Sequence, residues 1–349
     1  MQKIRAWGAP AAGQPLEPLT IDRREPGPHD VVLEVLFCGV CHSDIHQVRD
    51  EWGPGIFPMV PGHEIVGRVT KLGSDVSKFA IGELAGIGCM VDSCRTCASC
   101  REHVEQYCET GGSPTYNGTE MDRKTPTYGG YSTQIVVDEN FALRIPAGLD
   151  PAAAAPLLCA GITTYSPLRQ AGCKPGDRVG VVGLGGLGHM AVKLAASMGA
   201  HVTVLSTSAD KAADARRLGA HDFVVTKDGT AFEKLAGQFD LVVDTVSAPH
   251  DYNAYLGLLR PRGTMMIVGA PPTPTALHAF ALIAGGKKLI GSQIGGIAET
   301  QEMLEHCAAH GIVSDVEIIP IQQINEAYER VLKSDVRYRF VIDMASLRS

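Results

Sequence analysis

A glycine-rich segment directly after an apolar strand is the feature that most restricts how this chain can fold. The segment Gly183-Leu184-Gly185-Gly186-Leu187-Gly188 follows the predicted strand Arg178–Val182 and opens a predicted helix around Leu187–Met198. In such a unit Gly183 allows a tight turn, Gly185 lets the backbone approach a pyrophosphate, and Gly188 lets the helix pack closely. The strand and helix on either side make this otherwise weak pattern informative, and together they predict a dinucleotide site.

The alternation of strand and helix continues along the chain. From about residue 175, β-branched strands alternate with segments long enough to form helices, which is typical of parallel strands joined by helical crossovers. The predicted strands are Arg178–Val182, His201–Leu205, Asp222–Val225, Asp240–Asp244, Gly263–Val268 and Lys288–Gly291. This region therefore predicts an α/β fold with a Rossmann-type, doubly wound parallel sheet.

The residues before this region have a different character. Residues 1 to about 150 contain short β-branched runs broken by Gly and Pro, such as Val31–Val35 and Ile65–Val69, which predict an irregular, mostly-β domain. The chain has 349 residues, more than one domain usually holds, so two domains are expected. The tail is predicted to form a helix, a strand, a helix and a strand: Glu299–Ala309, Glu317–Ile319, Ile324–Leu332 and Tyr338–Ile342.

Charge and hydropathy exclude two classes of partner. The net charge is −7 and no Lys/Arg run suits a nucleic-acid backbone, so nucleic acid is not expected as a partner. The N-terminal residues 1–8 lack the apolar core of a signal peptide, which predicts a cytoplasmic protein. The longest uncharged run, 151–168, contains three prolines and a glycine, and it suits a domain crossing better than a membrane span.

Four of the ten cysteines lie close together in the first domain. The segment Cys94-Arg95-Thr96-Cys97-Ala98-Ser99-Cys100, followed by Cys108, places four thiols within fifteen residues. Turns of the C-x₂-C type direct neighbouring thiolates at one point, as tetrahedral zinc requires. A closed set of four thiolates leaves no open coordination position, so this lobe, residues 89–112, predicts a structural zinc site. The alternatives are an iron–sulfur cluster and four unrelated buried thiols.

A second group of residues combines zinc ligands with carboxylates. The segments Gly39-Val40-Cys41-His42-Ser43-Asp44-Ile45-His46 and Pro61-Gly62-His63-Glu64 contain thiol, imidazole and carboxyl groups, and a third metal ligand is available at Cys159. Two thiolates and one neutral imidazole leave the fourth tetrahedral position open for water or a substrate oxygen. Taken singly, Cys159 could equally be a small core residue, and His63 a hydrogen-bonded loop histidine.

With the glycine motif, these segments resemble the zinc-dependent medium-chain dehydrogenase/reductase family along essentially the whole chain. The strongest likeness is to its cinnamyl-alcohol-dehydrogenase-like aldehyde reductases. The further matching stretches, in chain order, are Gly39–Asp44, Pro61–Gly67, Cys94–Cys108, Cys159–Leu168 and Val336–Val341. The resemblance implies a GroES-like catalytic domain at 1–155, an NADP-binding domain at 156–295, and a return of 296–349 to the catalytic domain. It also implies a homodimer.

The resemblance assigns roles to the second group. It implies that Cys41, His63 and Cys159 hold a catalytic zinc and that Glu64 can ligate it transiently. Asp44 would accept the imidazole N–H that zinc binding leaves over, which fixes the ring's orientation; its alternative is a turn cap. By the same likeness, the Ser43 hydroxyl exchanges a proton with the substrate oxygen and His46 continues the relay. The alternative for His46 is a solvated loop histidine.

The end of the second α/β strand indicates which dinucleotide binds. An NAD enzyme usually carries a carboxylate there for the ribose hydroxyls, whereas this chain has Ser206-Thr207-Ser208. Three hydroxyls leave room for a 2′-phosphate, and Lys211 can neutralise part of its charge, although Asp210 is an acidic neighbour. The alternative is a polar strand end without a phosphate role. The predicted cofactor residues are Gly183, Gly185, Gly186, Leu187, Gly188, Ser206, Thr207, Ser208, Lys211 and Thr163.

The sequence therefore predicts a zinc-dependent alcohol dehydrogenase that works mainly as an NADPH-dependent aldehyde reductase on aliphatic and aromatic aldehydes, with two Zn²⁺ per chain. One alternative is an NAD-dependent alcohol or polyol dehydrogenase, and another is a non-catalytic zinc and nucleotide binding protein. For the substrate pocket the sequence suggests Trp52, Ile56, Met59 and Cys89, each of which could be ordinary core.

Overall fold

The computed structural model of the protein describes residues 1–227 and 229–348. By their contacts these residues divide into two units. Unit 1 comprises Met1–Cys159 and the residues from Gly295 onward, and unit 2 comprises Ala160–Ile294. The predicted domain limits, 155 and 295, lie four residues and one residue from the observed changes at 159 and 294.

The first segment of unit 1 consists of short strands with little helix. Its strands are β1 (Gln2–Gly8), β2 (Glu17–Arg23), β3 (Asp30–Gly39), β4 (Ile65–Leu72), β5 (Leu84–Ile87), β6 (Met90–Asp92), β7 (Ser113–Pro114), β8 (Gly118–Thr119), β9 (Pro126–Thr127), β10 (Gln134–Asp138) and β11 (Leu143–Arg144). Its α-helices are α1 (His42–Val48), α2 (Ala98–Arg101) and α3 (Pro151–Ala154).

Unit 2 alternates strands and helices. Its strands are β12 (Arg178–Val182), β13 (His201–Ser206), β14 (Asp222–Val225), β15 (Phe239–Asp244), β16 (Leu259–Ile267) and β17 (Lys288–Gly291). Its helices are α4 (Ala160–Gln170), α5 (Gly188–Ser197), α6 (Ala212–Arg217), α7 (Thr230–Leu235), α8 (Tyr252–Leu258) and α9 (Phe280–Ile283). The second segment of unit 1 adds α10 (Ile297–His310), β18 (Val316–Pro320), α11 (Ile324–Leu332) and β19 (Arg339–Asp343).

The sheet of unit 1 joins both ends of the chain. Its order is β11-β5-β4-β3-β19-β18, and β10 also pairs with β3. Strand β3 is rich in β-branched residues, whose side chains pack well on a pleated surface, and Val31, Leu33 and Val35 are fully buried. The last strand, β19, lies antiparallel to β3 with Val341 opposite Gly39. This register brings the start of β19 beside the chain that leaves β3.

The sheet of unit 2 is parallel, with the order β14-β13-β12-β15-β16-β17. The strand order reverses between β12 and β15, which is the point where doubly wound sheets bind ligands. The valines of β12, such as Val179 and Val181, are completely buried, as expected for a parallel strand covered by helices on both faces. The predicted fold class, a Rossmann sheet with a mostly-β second domain, is confirmed.

One strand starts earlier than predicted. The prediction placed the start of the fifth α/β strand at Gly263. In the structure β16 begins at Leu259, which pairs with Phe239, and the register then shifts before Leu241 pairs with Thr264. The strand therefore accommodates Pro261 at an irregularity. Among the described residues, no helix has the length and hydropathy to cross a membrane.

Candidate active site

Four potential metal ligands meet in unit 1 although they lie far apart in sequence. Cys41 is the N-cap of α1 immediately after β3, His63 and Glu64 precede β4, and Cys159 follows a short 3-10 helix. Gly62 makes the turn before His63 with a φ of +101°, and a Cβ there would lie 2.7 Å from a neighbouring sulfur. That left-handed, crowded position favours glycine.

The geometry of these four residues suits a tetrahedral ion. Their ligand atoms all lie within 4.8 Å of one another, and all four residues are buried. The Sγ atoms of Cys41 and Cys159 are 4.0 Å apart, and Nε2 of His63 is 3.3 Å from Cys159 Sγ. Zinc bonds of about 2.0–2.3 Å to nitrogen and sulfur give tetrahedral edges of about 3.5–3.8 Å. The donor set therefore fits one zinc ion.

The two thiols of this set also influence each other's ionisation. A hydrogen bond with Cys159 lowers the pKa of Cys41 well below its usual range, and the same contact raises the pKa of Cys159. Two buried thiolates this close repel each other, so both can ionise together only when a cation lies between them. Metal binding provides that cation.

Asp44 connects the backbone around this set to the imidazole. Its side chain is fully buried, and Oδ1 accepts from Gly62 N–H at 3.1 Å and lies 3.1 Å from His63 Nδ1. Oδ2 accepts from Cys41 N–H at 2.9 Å and from the Tyr131 hydroxyl at 3.4 Å. A carboxylate can only accept, so His63 Nδ1 carries a hydrogen, and Nε2 is the ring nitrogen that faces the thiols and is available to a metal.

Glu64 forms an ion pair that sequence reasoning missed. Oε1 of Glu64 is hydrogen-bonded to the guanidinium of Arg339, and both side chains are buried. Burial raises the pKa of the Glu64 carboxyl to about 8, even though Arg339 lowers it. The other oxygen, Oε2, has no hydrogen-bond partner within the described part of the chain. Gly39 leaves room for this carboxylate, because a Cβ there would lie 1.9 Å from Oε2.

The proposed relay residues both lie on α1. The Ser43 hydroxyl is 3.6 Å from Cys41 Sγ, at the edge of the ligand set. His46, three positions later and therefore on the same helix face, bonds through Nδ1 to the carboxylate of Glu51. Its ring also stacks on Trp52 with centroids 4.8 Å apart. Sequence reasoning missed Glu51, although an acidic residue five positions after a candidate relay histidine is a usable signal.

The four cysteines of the lobe converge on one point. Sγ of Cys94 and Sγ of Cys100 are 3.8 Å apart, and the four sulfurs lie within 4.8 Å of one another. Backbone N–H groups of Cys97 and Cys100 donate to the sulfurs of Cys94 and Cys97 at 3.3 and 3.4 Å. Backbone donation from Thr96 and Cys97 lowers the pKa of Cys94 to about 5. These distances suit a single ion held by four thiolates rather than a multi-iron cluster.

The glycine motif of unit 2 lies at the carboxyl end of β12. Gly183 has a φ of +85°, and a Cβ on Gly188 would lie 2.2 Å from the Gly183 carbonyl oxygen. At Gly185, by contrast, the space around a Cβ holds no described heavy atom within 4 Å. Gly186 and Leu187 are partly buried and lead into α5, where Leu187 is the N-cap. Thr163 is buried within α4.

The residues predicted to hold a 2′-phosphate cluster at the end of β13. Ser206 is buried, and its Oγ both donates to the Ser208 carbonyl and accepts from Ser208 N–H. Thr207 and Ser208 are exposed, and the Ser208 hydroxyl bonds to Asp210. Asp210 therefore already has a hydroxyl partner and an exposed position.

Lys211 reaches back to the glycine motif. Its Nζ donates to the carbonyl oxygen of Leu184 at 3.0 Å. This contact links the segment after β13 to the glycine motif, the two parts of the predicted cofactor site.

The four pocket residues suggested by the sequence differ in exposure. Trp52 and Ile56 are exposed to 53% and 39%, whereas Met59 is buried beneath the surface with its backbone paired to Ala9. Cys89 lies closest to the metal ligands, and a hydrogen bond with Cys159 lowers the pKa of its thiol.

Comparisons with known proteins cover both units. The family model of the alcohol dehydrogenase GroES-like domain matches residues 27–147, and that of the zinc-binding dehydrogenase matches residues 186–309. NADP-dependent alcohol dehydrogenase C 1 of Mycolicibacterium smegmatis is 57% identical and covers 100% of both chains. Aldehyde reductase YahK of Escherichia coli is 54% identical over 99% of each chain. A solved cinnamyl alcohol dehydrogenase from Sorghum bicolor is 46% identical, covers 99% of this chain and 98% of that one, and gives a TM-score of 0.96.

Proposed function

Because the chain belongs to the zinc-dependent alcohol dehydrogenase family, we propose that it reduces aliphatic and aromatic aldehydes with NADPH and also catalyses the reverse oxidation. The observation that carries this proposal is the convergence of two thiols and one imidazole, with Asp44 fixing the imidazole. The names of the two relatives, an NADP-dependent alcohol dehydrogenase and an aldehyde reductase, support the choice of cofactor and direction.

In this proposal Cys41, His63 and Cys159 hold the catalytic zinc, and Glu64 is available as a transient fourth ligand. When bound there, zinc supplies Lewis-acid polarisation of the carbonyl oxygen. The buried Arg339 neutralises Glu64 while that carboxylate is away from the metal. A buried carboxylate without a partner would destabilise the protein, and the ion pair with Arg339 offsets that free-energy cost.

The remaining residues move a proton. NADPH supplies hydride to the carbonyl carbon, so the carbonyl oxygen must gain a proton to become the alcohol. The Ser43 hydroxyl donates that proton and regains a proton from His46. Because the Glu51 carboxylate accepts from Nδ1 of His46, the Nε2 atom of that ring is left to exchange protons. In the oxidation direction the proton follows the same route in reverse.

The preference for NADPH rests on the end of β13. Ser206, Thr207 and Ser208 offer hydroxyl or backbone N–H donors to a 2′-phosphate, and Lys211 offers a charge-assisted contact. A carboxylate at Ser206 would instead repel the phosphate and accept from the ribose diol. The Gly183–Gly188 turn and the N-terminus of α5 receive the pyrophosphate.

One edge of the unit 2 sheet supports a homodimeric assembly. Strand β17 is at one edge of the unit 2 sheet, and the nearby Leu277, Phe280 and Ile283 are 44%, 65% and 64% exposed. We propose that this edge forms a homodimer, which sedimentation of wild type and of Phe280→Glu would test: a wild-type monomer at micromolar concentration contradicts it.

We also propose that the enzyme works in the cytoplasm, where thiols stay reduced for metal binding.

The function is tested by following NADPH oxidation with a panel of aliphatic and aromatic aldehydes. We expect turnover with NADPH, much slower turnover with NADH, and no turnover in Cys159→Ser with its fold intact by circular dichroism. Ser206→Asp should gain on NADH while losing NADPH. Wild-type use of both cofactors at the same rate, with an unchanged ratio in Ser206→Asp, would show that the phosphate site is misassigned.

A further inference from the structure

Unit 2 contains a buried histidine–carboxylate pair that the proposed reaction does not use. Asp244 is the last residue of β15 and its side chain is fully buried, while the side chain of His250 is 15% exposed. Nε2 of His250 lies 2.8 Å from Oδ2 of Asp244. The two residues stand at the two ends of the loop 245–249, so their contact closes that loop.

The hydrogen-bond partners determine where the hydrogens lie. Nδ1 of His250 is 2.8 Å from the carbonyl oxygen of Ala248, which can only accept. The carboxylate of Asp244 likewise accepts from Nε2, so both ring nitrogens carry a hydrogen and the ring is cationic. Oδ1 of Asp244 accepts from Val246 N–H at 3.1 Å. The pair thus contributes three hydrogen bonds to the loop: two from the imidazolium and one to the carboxylate.

The first part of this loop packs directly against the glycine motif. A Cβ on Gly183 would lie 2.8 Å from Cγ2 of Val246, and one on Gly188 would lie 3.3 Å from Oγ1 of Thr245. On the other side, a Cβ on Gly269 would lie 2.5 Å from the Val246 carbonyl oxygen. The Thr245 hydroxyl also donates to the Val182 carbonyl oxygen at 2.7 Å, immediately before the motif. Three glycines therefore make room for two loop residues.

The sheet topology places this contact at a ligand site. Asp244 is opposite Val182 in the register of β15 and β12, so the chain leaves both strands at the same edge. Between these strands the sheet order reverses, and ligands of doubly wound folds bind beyond the carboxyl ends at that point. The loop 245–249 thus lies across from the turn that is proposed to receive the pyrophosphate.

We propose that Asp244 and His250 are positioning residues for the bound dinucleotide: their ion pair holds Thr245 and Val246 as the second wall of the cofactor site. This inference rests on the proposed dinucleotide binding at Gly183–Gly188. Neither residue needs to touch the cofactor, because the pair acts through the backbone of the loop. Without the pair, ordering the loop would consume part of the binding free energy.

Titration of the pair gives a signature that a purely structural contact lacks. Burial lowers the pKa of His250, but the hydrogen bonds to Asp244 and Ala248 raise it above its usual value. The other groups facing the ring are the carboxylate of Asp251 and the rings of Tyr252 and Tyr255 on α8. The second N–H is present below the raised pKa and is lost as the pH rises through it, so dinucleotide affinity should fall over that range.

The test is a fluorescence titration of full-length wild type and variants with NADPH and with NADH across a pH series. His250→Leu removes both donors, and we expect its NADPH affinity to fall about tenfold, the lower end of what one charge-assisted hydrogen bond contributes. His250→Gln keeps a donor to Asp244 that does not titrate, so it should recover most of the affinity. The NADPH affinity of wild type divided by that of His250→Gln should decrease as the pH rises. Ionisation of the cofactor itself affects both proteins equally and cancels in this ratio.

A more exposed pair with the same contact distance in the same unit provides the control. His201 and Asp222 make the same Nε2–Oδ2 contact of 2.8 Å. They are the first residues of β13 and β14, so they lie at the amino ends of the strands, away from the carboxyl ends where the glycine motif lies. His201→Leu should leave cofactor affinity unchanged. Unchanged affinity in His250→Leu for both dinucleotides, with only a lower melting temperature, overturns the inference. A wild type that binds NADH but not NADPH instead overturns the proposed cofactor and leaves the loop comparison measurable with NADH.

Discussion

The fully buried carboxylate of Asp44 shows how one side chain can order several candidate metal ligands. Its two oxygens receive donors from Cys41, Gly62, His63 and Tyr131, which belong to three different segments of unit 1. A buried carboxylate without such donors would be protonated or expelled to solvent. With them the side chain holds the turn before His63 and the start of α1 in a single arrangement.

Replacing Asp44 with Asn should weaken zinc binding at the catalytic site. An amide has one accepting oxygen, so either orientation points its NH₂ group at two existing donors. We expect metal affinity to fall about 10- to 100-fold, as for other partners of metal-bound histidines, with a parallel loss of turnover. Competition with a chelator measures the affinity, and Asp22→Asn, which alters an exposed pair with Lys3, is the control. Equal chelator sensitivity in the two variants would contradict the role.

Cofactor preference should depend on Lys211. In Lys211→Met the side chain keeps its length but loses a charge-assisted contact of about 1.5–3 kcal/mol, so NADPH binding should weaken roughly ten- to more than hundredfold. NADH binding should weaken far less, through loss of the bond to Leu184 alone. Lys174→Met, which removes a surface lysine paired with Asp177, is the control. If the binding of NADPH and of NADH weakens by the same factor, Lys211 does not contact the 2′-phosphate and only supports the glycine turn.

Residue types with short, characteristic spacing could be recognised from sequence, whereas single long-range partners could not. The cysteines of the lobe and the glycines of the motif lie within a few positions of one another, so their geometry is nearly local. Arg339 and Glu64 are 275 positions apart. The available signal was a basic residue in the predicted strand Tyr338–Ile342, since an arginine among apolar strand residues needs a buried partner.

At the scale of elements, the lobe of four cysteines is connected to the helix by which the chain returns to unit 1. The carboxylate of Glu105 accepts from Ile297 N–H at 3.1 Å, at the first residue of α10. A Cβ on Gly296 would lie 1.9 Å from the His103 carbonyl oxygen, so backbone from the lobe touches the helix start. Metal binding in the lobe should therefore also order the first turn of α10.

Glu105→Ala should destabilise this junction. The variant leaves a helix N-terminal N–H without its acceptor and removes a negative charge from the positive end of the helix, with an expected cost of about 1 kcal/mol. Hydrogen exchange should accelerate at 297–300, and chemical unfolding should report the loss of stability. Glu102→Ala, an exposed residue of the same lobe, should change neither. Unaltered exchange at these amides in Glu105→Ala would show that the lobe does not support α10.

Element positions in unit 2 could be predicted well because each strand is a short apolar run between polar segments. Strands β12, β14 and β17 have the predicted limits, and α11 matches its predicted range. The departure at β16 comes from pairing between Phe239 and Leu259, a contact that local propensity cannot show. The mostly-β unit was predicted only as a class, because its register depends on distant pairs such as β3 with β19.

At the scale of the whole molecule, both sets of candidate metal ligands lie in unit 1, but the two sets differ in composition. Unit 1 is built from both ends of the chain, with unit 2 inserted between them in sequence. Within the described part of the chain the lobe offers four sulfurs as ligands, and four thiolates fill a tetrahedral site without an open position. The second set combines two sulfurs, one imidazole and the carboxylate of Glu64, which is paired with Arg339.

We therefore expect two zinc ions per chain with separable roles. Cys97→Ser should lose one zinc and lower the melting temperature, because the three remaining cysteine thiolates repel one another without their ion and the start of α10 loses its support. Cys159→Ser should lose or weaken the other zinc and abolish turnover, while the melting temperature changes far less. Cys173→Ser, a partly buried thiol of unit 2 outside both ligand sets, should keep both metals and full activity. Metal analysis of protein purified without chelators, read together with thermal unfolding, checks each expectation. One zinc per chain in the wild type, iron in the lobe, or an active Cys159→Ser would each contradict this assignment.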